Sequence, residues 1–137
     1  MKAIAGRTAQ GAFTHRIEIR DHRLTVDEPS EHGGDDRGPS PQELLAASLA
    51  SCAAITMEMY ATRKGWEIGP VEVQCEYSSA ERGSPTNFNL ILRLPNDCSE
   101  EQLERLQVIA AKCPVRRTLE GEVVFDERVE LVEPGGR

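Results

Sequence analysis

The order of elements in the sequence predicts an α+β fold, with a curved antiparallel sheet laid against one long central helix. Three observations lead there. Apolar and polar residues alternate in stretches around 13–26, 71–77 and 88–94, the pattern of strands with one buried and one wet face. Between the first and second stretches the apolar period changes to three and four residues, the spacing of a helix face. Strands, long helix, strands, helix and strand then follow one another, without repeat or linker.

Phe13, His15, Ile17 and Ile19 alternate with Thr14, Arg16, Glu18 and Arg20, and Leu24 and Val26 follow after Asp21-His22, which predicts a β-hairpin. The stretch from Glu28 to Ser40 is rich in Gly, Pro and acidic residues and reads as a surface loop. It runs straight into the long helix. Ser40 suits the N-cap, Pro41 the first helical position, and Glu43 the third position of a capping box. Leu44, Ala47/Ser48, Ser51/Cys52, Ile55 and Met59 recur at helical steps, placing Cys52 on the most apolar face and toward the interior. The small residues from Ala46 to Ala54 allow close approach of another backbone, as in a helix central to its fold or to a dimer. Arg63, Lys64 and Gly65 supply the end of the helix.

Val71, Val73, Cys75 and Tyr77 then alternate with Glu72, Gln74 and Glu76, a strand with Cys75 facing the core. A turn at Arg82-Gly83-Ser84-Pro85 joins it to a partner strand carrying Phe88, Leu90, Leu92 and Leu94 on one face. Ser99 and Gln102 cap a second helix with the stripe Leu103, Leu106, Ile109/Ala110, and Pro114 opens a short last helix through Leu119. Val123, Phe125, Val129 and Leu131 predict a final strand, and Pro134-Gly135-Gly136-Arg137 a loose tail.

The 137 residues fit one domain spanning 1–137, with an aliphatic core because only 4% are aromatic. A formal net charge of -7 with scattered Lys and Arg argues against nucleic acid or an anionic membrane as partner. No apolar run is expected to reach the roughly 18 to 20 residues that span a bilayer, and the first residues lack a signal-peptide core, so a cytoplasmic location is expected. In that compartment Cys52, Cys75, Cys98 and Cys113 should stay outside any structural disulfide framework, and none stands in a C-x-x-C spacing. His15, His22 and His32 lack metal-ligand spacing, and Gly33-Gly34-Asp35-Asp36 lacks that of a calcium loop, so neither a metal nor a cofactor is expected.

Chemistry concentrates on two thiols. Cys113 occupies the cap position ahead of Pro114, where free amides and the helix dipole favour a thiolate and are expected to lower its pKa. Cys52 lies well inside its helix in apolar surroundings and needs an activator, for which a buried arginine is the natural choice. Arg7, Arg16, Arg20, Arg37, Arg116 and Arg117 are available, and periodicity does not choose among them. Glu43 is the nearest acid that could position such an arginine, although its capping role already accounts for it. The plainer reading makes Cys52 a small core hydrophobe. Cys75 reads as structural, and Cys98, in a polar turn, as exposed and incidental.

The segment from Gly38 to Cys52, with Met57-Glu58-Met59-Tyr60-Ala61 and Arg63-Lys64-Gly65-Trp66 after it, closely resembles the first-cysteine helix of the OsmC/Ohr superfamily. Lys112-Cys113-Pro114-Val115-Arg116-Arg117-Thr118-Leu119 is similar to that superfamily's second hallmark, a Cys-Pro opening a short late helix. The resemblance implies an intertwined homodimer with curved antiparallel sheets wrapped around long central helices and sites at the subunit interface. It implies a thiol-dependent peroxidase acting on organic hydroperoxides and hydrogen peroxide, with Cys52 peroxidatic and Cys113 resolving. A disulfide between them requires Cα atoms about 4.4 to 6.8 Å apart, and a dithiol reductant would restore the pair. Ohr proteins carry Glu directly after the helix-opening Pro where this chain has Gln42, which moves the arginine-positioning carboxylate to Glu43. For the activating arginine, Arg37 lies near the corresponding loop, while the OsmC position holds His32. The alternative function is a non-enzymatic dimeric module that binds a small apolar metabolite between subunits.

Overall fold

The computed structural model of the protein describes residues 1–135. Three strands, β1 (Ile4–Arg7), β2 (His15–Ile19) and β3 (His22–Val26), form an antiparallel sheet in that order. The predicted hairpin is β2–β3, with Ile17 opposite Leu24. A 3-10 turn at Ser30–His32 interrupts the loop that leads to the long helix α1 (Pro41–Lys64). A second antiparallel pair, β4 (Glu72–Glu76) and β5 (Asn89–Arg93), precedes α2 (Glu100–Ala110) and α3 (Pro114–Glu120).

Both predicted capping boxes are present. The Glu43 backbone N–H donates to Ser40 Oγ at 3.2 Å and the Ser40 N–H to Glu43 Oε1 at 2.9 Å, with Ser99 and Gln102 making the same exchange at α2. Gly65 ends α1 at φ 71°, a left-handed conformation that costs glycine little.

The entry to α1 is held by a buried acid. Asp27, 1% exposed, accepts from Thr14 Oγ1 at 2.8 Å, from the Glu28 N–H at 2.8 Å and from the Arg37 N–H at 3.2 Å. Its own N–H donates to the Pro39 carbonyl at 3.1 Å, so one residue ties the end of β3 to both ends of the loop.

The core gathers Leu49, Ala53, Met57, Tyr60 and Ala61 of α1 with Ile68, Leu106, Ile109, Ala110 and Cys113, and β4 and β5 cover it with Val73, Cys75, Leu90 and Leu92. Arg105 Nε donates to the Tyr60 hydroxyl at 2.9 Å, and Trp66 packs edge-on to the Tyr60 ring, tying α2 to α1. Among the described residues, none of β1–β3 belongs to this cluster, so the N-terminal sheet stands apart from it.

Several sequence expectations are corrected. The buried stripe of α1 is Leu49, Ala53 and Met57, whereas Ile55 and Met59 are 54% and 60% exposed. Apolar and small residues occur all round this helix, so periodicity did not identify the buried side. Within the described residues, Val123–Leu131 form no strand, and Gly136 and Arg137 of the expected tail lie outside the described residues. β1 is a strand that Ile4-Ala5-Gly6-Arg7 did not announce, since its identity comes from pairing with β2. Cys98 is partly buried against the core instead of exposed. By length and composition α1 is also apolar enough to cross a bilayer, contrary to the expectation that no segment would be. A core helix passes the same test, and α1 packs on α2, β4 and α3.

Candidate functional site

Helical geometry puts Cys52 on the border between two stripes of α1. Leu49 and Ala53 descend into the core on one side of it, and Ile55 and Met59 face outward on the other. Cys52 is therefore half-buried, packed on the core yet reachable from the open face. Cys113 is fully buried where the chain leaves α2 and begins α3. Pro114 fixes the first helical position, and the Cys113 Sγ, as N-cap acceptor, takes the Arg116 N–H at 3.4 Å.

The fold brings the two together: Cys52 lies close enough to Cys113 to act on its titration, and both are free thiols. Burial pushes the Cys113 thiol above its ordinary range. The Arg116 N–H pulls it down, while neighbouring Cys52 adds to the rise. The lowered pKa expected from the cap position is thus reversed. α3 is only 7 residues long, so its dipole and amides are outweighed by removal of the sulfur from water. At neutral pH Cys113 is held protonated.

The other sequence candidates lie elsewhere. The Glu43 carboxylate is occupied by the Ser40 backbone N–H and hydroxyl, which hold it below the usual carboxylate range. Arg37 is exposed, and its backbone N–H is the group bound to Asp27. Among the described residues Arg37 and Glu43 make no ion pair with each other or with any third group. His32 faces Glu28 at 3.6 Å. Cys75 is raised by burial first and by Glu76 second, as suits a sulfur facing the core from β4. No cluster of three His, Cys, Asp or Glu side chains among the described residues could hold a metal ion.

One feature of the site was not singled out in the sequence. A groove of about 1010 Å³ runs between the first half of α1, the β4–β5 hairpin and α3, with Leu45 and Leu49, Phe88 and Leu90, and Leu119 among its walls. Tyr77 stacks on Phe88 with ring centroids 4.7 Å apart, and its hydroxyl donates to the Gln42 carbonyl at 2.8 Å, closing the hairpin onto the start of α1. Leu49 lies one turn before Cys52 on α1. Arg116, also on the groove wall, lies one turn after Cys113, with its Nε 2.7 Å from Glu120 Oε1. The spacing Cys113, Arg116, Glu120 was visible in the sequence as positions on one helix face, but not that this face borders a groove.

Two neighbouring thiols, one half-buried and one fully buried, near a groove of mixed polarity, are the components of a dithiol–disulfide pair. Comparison with known proteins bears on this arrangement. A family model described as OsmC-like protein matches residues 33–128, which include α1 and α3 with both cysteines. An uncharacterized protein of Acinetobacter baylyi is 28% identical over 129 residues, covering 91% of this chain and 87% of its own. The crystal structure of the organic hydroperoxide resistance protein OsmC of Legionella pneumophila superposes with a TM-score of 0.65 at 22% identity, covering 88% of each chain. That of the organic hydroperoxide resistance protein OhrB of Bacillus subtilis gives 0.59 at 23% identity, covering 88% of this chain and 90% of that one. At such identities the two structures speak for the fold, with its antiparallel sheets and packed helices.

Proposed function

The chain belongs to the OsmC-like protein family, and from that premise we propose that it is a thiol-dependent peroxidase reducing organic hydroperoxides and hydrogen peroxide. The observation that carries this reading is the closeness of Cys52 and Cys113, each one helical turn from a residue, Leu49 or Arg116, on the wall of a groove. Cys52, as thiolate, attacks the terminal peroxide oxygen. The S–O bond forms, the O–O bond breaks, and the alkoxide leaves and takes a proton as alcohol, or as water from hydrogen peroxide. Cys113 then attacks the sulfenic sulfur, forming the disulfide as hydroxide departs with a proton as water. A dithiol reductant resets the pair by exchange. The raised pKa of Cys113 agrees with this division of labour. A buried thiol held protonated is a poor first nucleophile, yet it is in place to resolve a sulfenic acid.

Within this proposal the working unit is a homodimer, in a reducing cytoplasm that keeps four cysteines free. Support comes from the outward apolar stripe of α1 and from an N-terminal sheet outside the main core. Glu43, occupied at its cap, and exposed Arg37 keep no part in the single-subunit site. Arg37 retains a role only if it reaches across to a partner.

The test is stopped-flow oxidation of the reduced protein by cumene hydroperoxide and by hydrogen peroxide. Fast loss of one thiol is expected, faster with the bulky substrate, absent in Cys52→Ser, and ending in hyperoxidised Cys52 in Cys113→Ser. Equal rates in wild type and both variants would overturn the reading. The groove volume also suits a second one, a dimeric module that binds an apolar metabolite without turnover. That reading takes over if the wild type is inert to both peroxides and binds a hydrophobic fluorophore that a groove substitution, Leu49→Gln, abolishes.

A further inference from the structure

A recess of about 480 Å³ lies where the C-terminal end of α1 meets α2, bordered by Tyr60 and Trp66 and by four charged side chains, Lys64, Glu101, Glu104 and Arg105. It shares no wall residue with the groove beside α3, and Tyr60 follows Cys52 by about two turns of α1. We infer that this recess binds a small zwitterion of the α-amino acid class, its carboxylate taken by Arg105 and Lys64 and its ammonium by Glu101 and Glu104. The site is separate from the thiols and does not depend on the peroxidase reading.

The four charges border one recess without neutralising one another. None of the ion pairs among the described residues includes Lys64, Arg105, Glu101 or Glu104. Glu101 stands four positions before Arg105, the helical spacing at which an acid and a base pair readily. Arg105 turns across to α1 instead, where its Nε donates to the Tyr60 hydroxyl at 2.9 Å and its guanidinium carbon stands 5.4 Å from the ring centroid. With Nε engaged and the side chain braced on a buried ring, the two terminal nitrogens form a planar donor pair of the shape a carboxylate accepts. Lys64, with Nζ 5.7 Å from the same centroid, places a second cation on that side.

The acids decide the class of ligand. A simple carboxylate would meet Glu101 and Glu104 as well as the cations, on a chain whose formal net charge is -7. A simple ammonium would meet Lys64 and Arg105. A molecule that carries both charges a few bonds apart meets a partner for each. Trp66, edge-on to Tyr60, and Val108 add apolar surface to the same wall, which suits an amino acid with an apolar side chain.

Trp66 is the single tryptophan of the chain, so its fluorescence reads the recess directly. The experiment titrates the protein with L-leucine, with isocaproate, which is the same molecule without the ammonium, and with leucine methyl ester, which has no carboxylate. Leucine is expected to give a saturable change at millimolar concentration and to bind at least about tenfold more tightly than either analogue, because each analogue leaves charged groups unmet. Arg105→Met should weaken leucine by about tenfold or more. Glu101→Gln combined with Glu104→Gln, both at exposed positions, should weaken leucine and tighten isocaproate, a reversal that damage to the fold does not produce. No saturable change with leucine overturns the inference, and so does isocaproate bound as tightly as leucine. A double variant that weakens leucine and isocaproate alike overturns it too. Binding is read without peroxide, so this result stands or falls apart from the peroxidase test.

Discussion

Asp27 carries the structural weight of the loop before α1 as a charge, and that makes its contribution dependent on pH. Burial pushes its carboxyl up, but the Thr14 hydroxyl and the backbone N–H groups of Glu28, Arg37 and Asp35 together outweigh burial, so its pKa lies below the ordinary value. A carboxyl that ionises more easily in the folded state stabilises the fold above its unfolded pKa of about 4 and loses that contribution as pH falls through the lower, folded value. Asp27→Asn keeps the shape and turns part of an acceptor into a donor that faces N–H groups. The variant is expected to melt below wild type at neutral pH, with the gap closing as pH drops below about 4, where the wild-type carboxyl is itself being protonated. Thermal midpoints across that range decide it; a gap of constant size at every pH would mean that shape, and not charge, holds the loop.

At the scale of elements, the two ends of α1 depend on glycine for different reasons, and substitutions should separate them. Gly65 sits at φ 71° with open space where a Cβ would go, so Gly65→Ala incurs only the left-handed backbone strain, about 1 kcal/mol. At Gly38 a Cβ would lie 2.3 Å from the Thr25 carbonyl oxygen, which belongs to β3, so the loop must lift off the strand. Gly38→Ala should therefore be the costlier change, by more than about 2 kcal/mol, and urea unfolding of the two variants measures it. A Gly38→Ala midpoint at or above that of Gly65→Ala would show that the loop yields freely. The same contrast between local and distant causes explains what the sequence disclosed. The caps at Ser40 and Ser99, the Gly65 stop and the alternation of β4 and β5 are set by residues within a few positions, and all were readable. The pairing of β1, the buried side of α1 and the raised pKa of Cys113 are set by neighbours far along the chain, and none was. The two cysteines were singled out from their motifs, whereas the groove near them depends on how α3 lies against the β4–β5 hairpin.

For the molecule as a whole, the unanswered question in a single subunit is what covers its outer apolar surface. Ile55 and Met59 share the outward side of α1 with Cys52, and Phe125 and Leu131, in the segment after α3, are 81% and 94% exposed. Scattered exposed apolar residues are ordinary, but a stripe along the longest helix together with an extended apolar tail segment is what an interface between copies leaves behind when one copy is removed. A second chain laid α1 against α1 would use the small residues Ala47, Ser48 and Ser51 for close approach and would bring its surface over Cys52. The protein is therefore expected to elute as a dimer in size-exclusion chromatography with light scattering, and Ile55→Glu combined with Met59→Glu to shift it to monomer by placing buried, unpaired charges in the contact. Ile91→Glu is the control: Ile91 lies on β5, the strand whose Arg93 pairs with Glu72 across the hairpin, and a charge added there should leave the dimer intact. If the double variant remains a dimer, α1 is not the contact. If the wild type is a monomer at every concentration and still reduces hydroperoxide, the site is complete within one chain and the outward stripe must be covered by something other than a second copy.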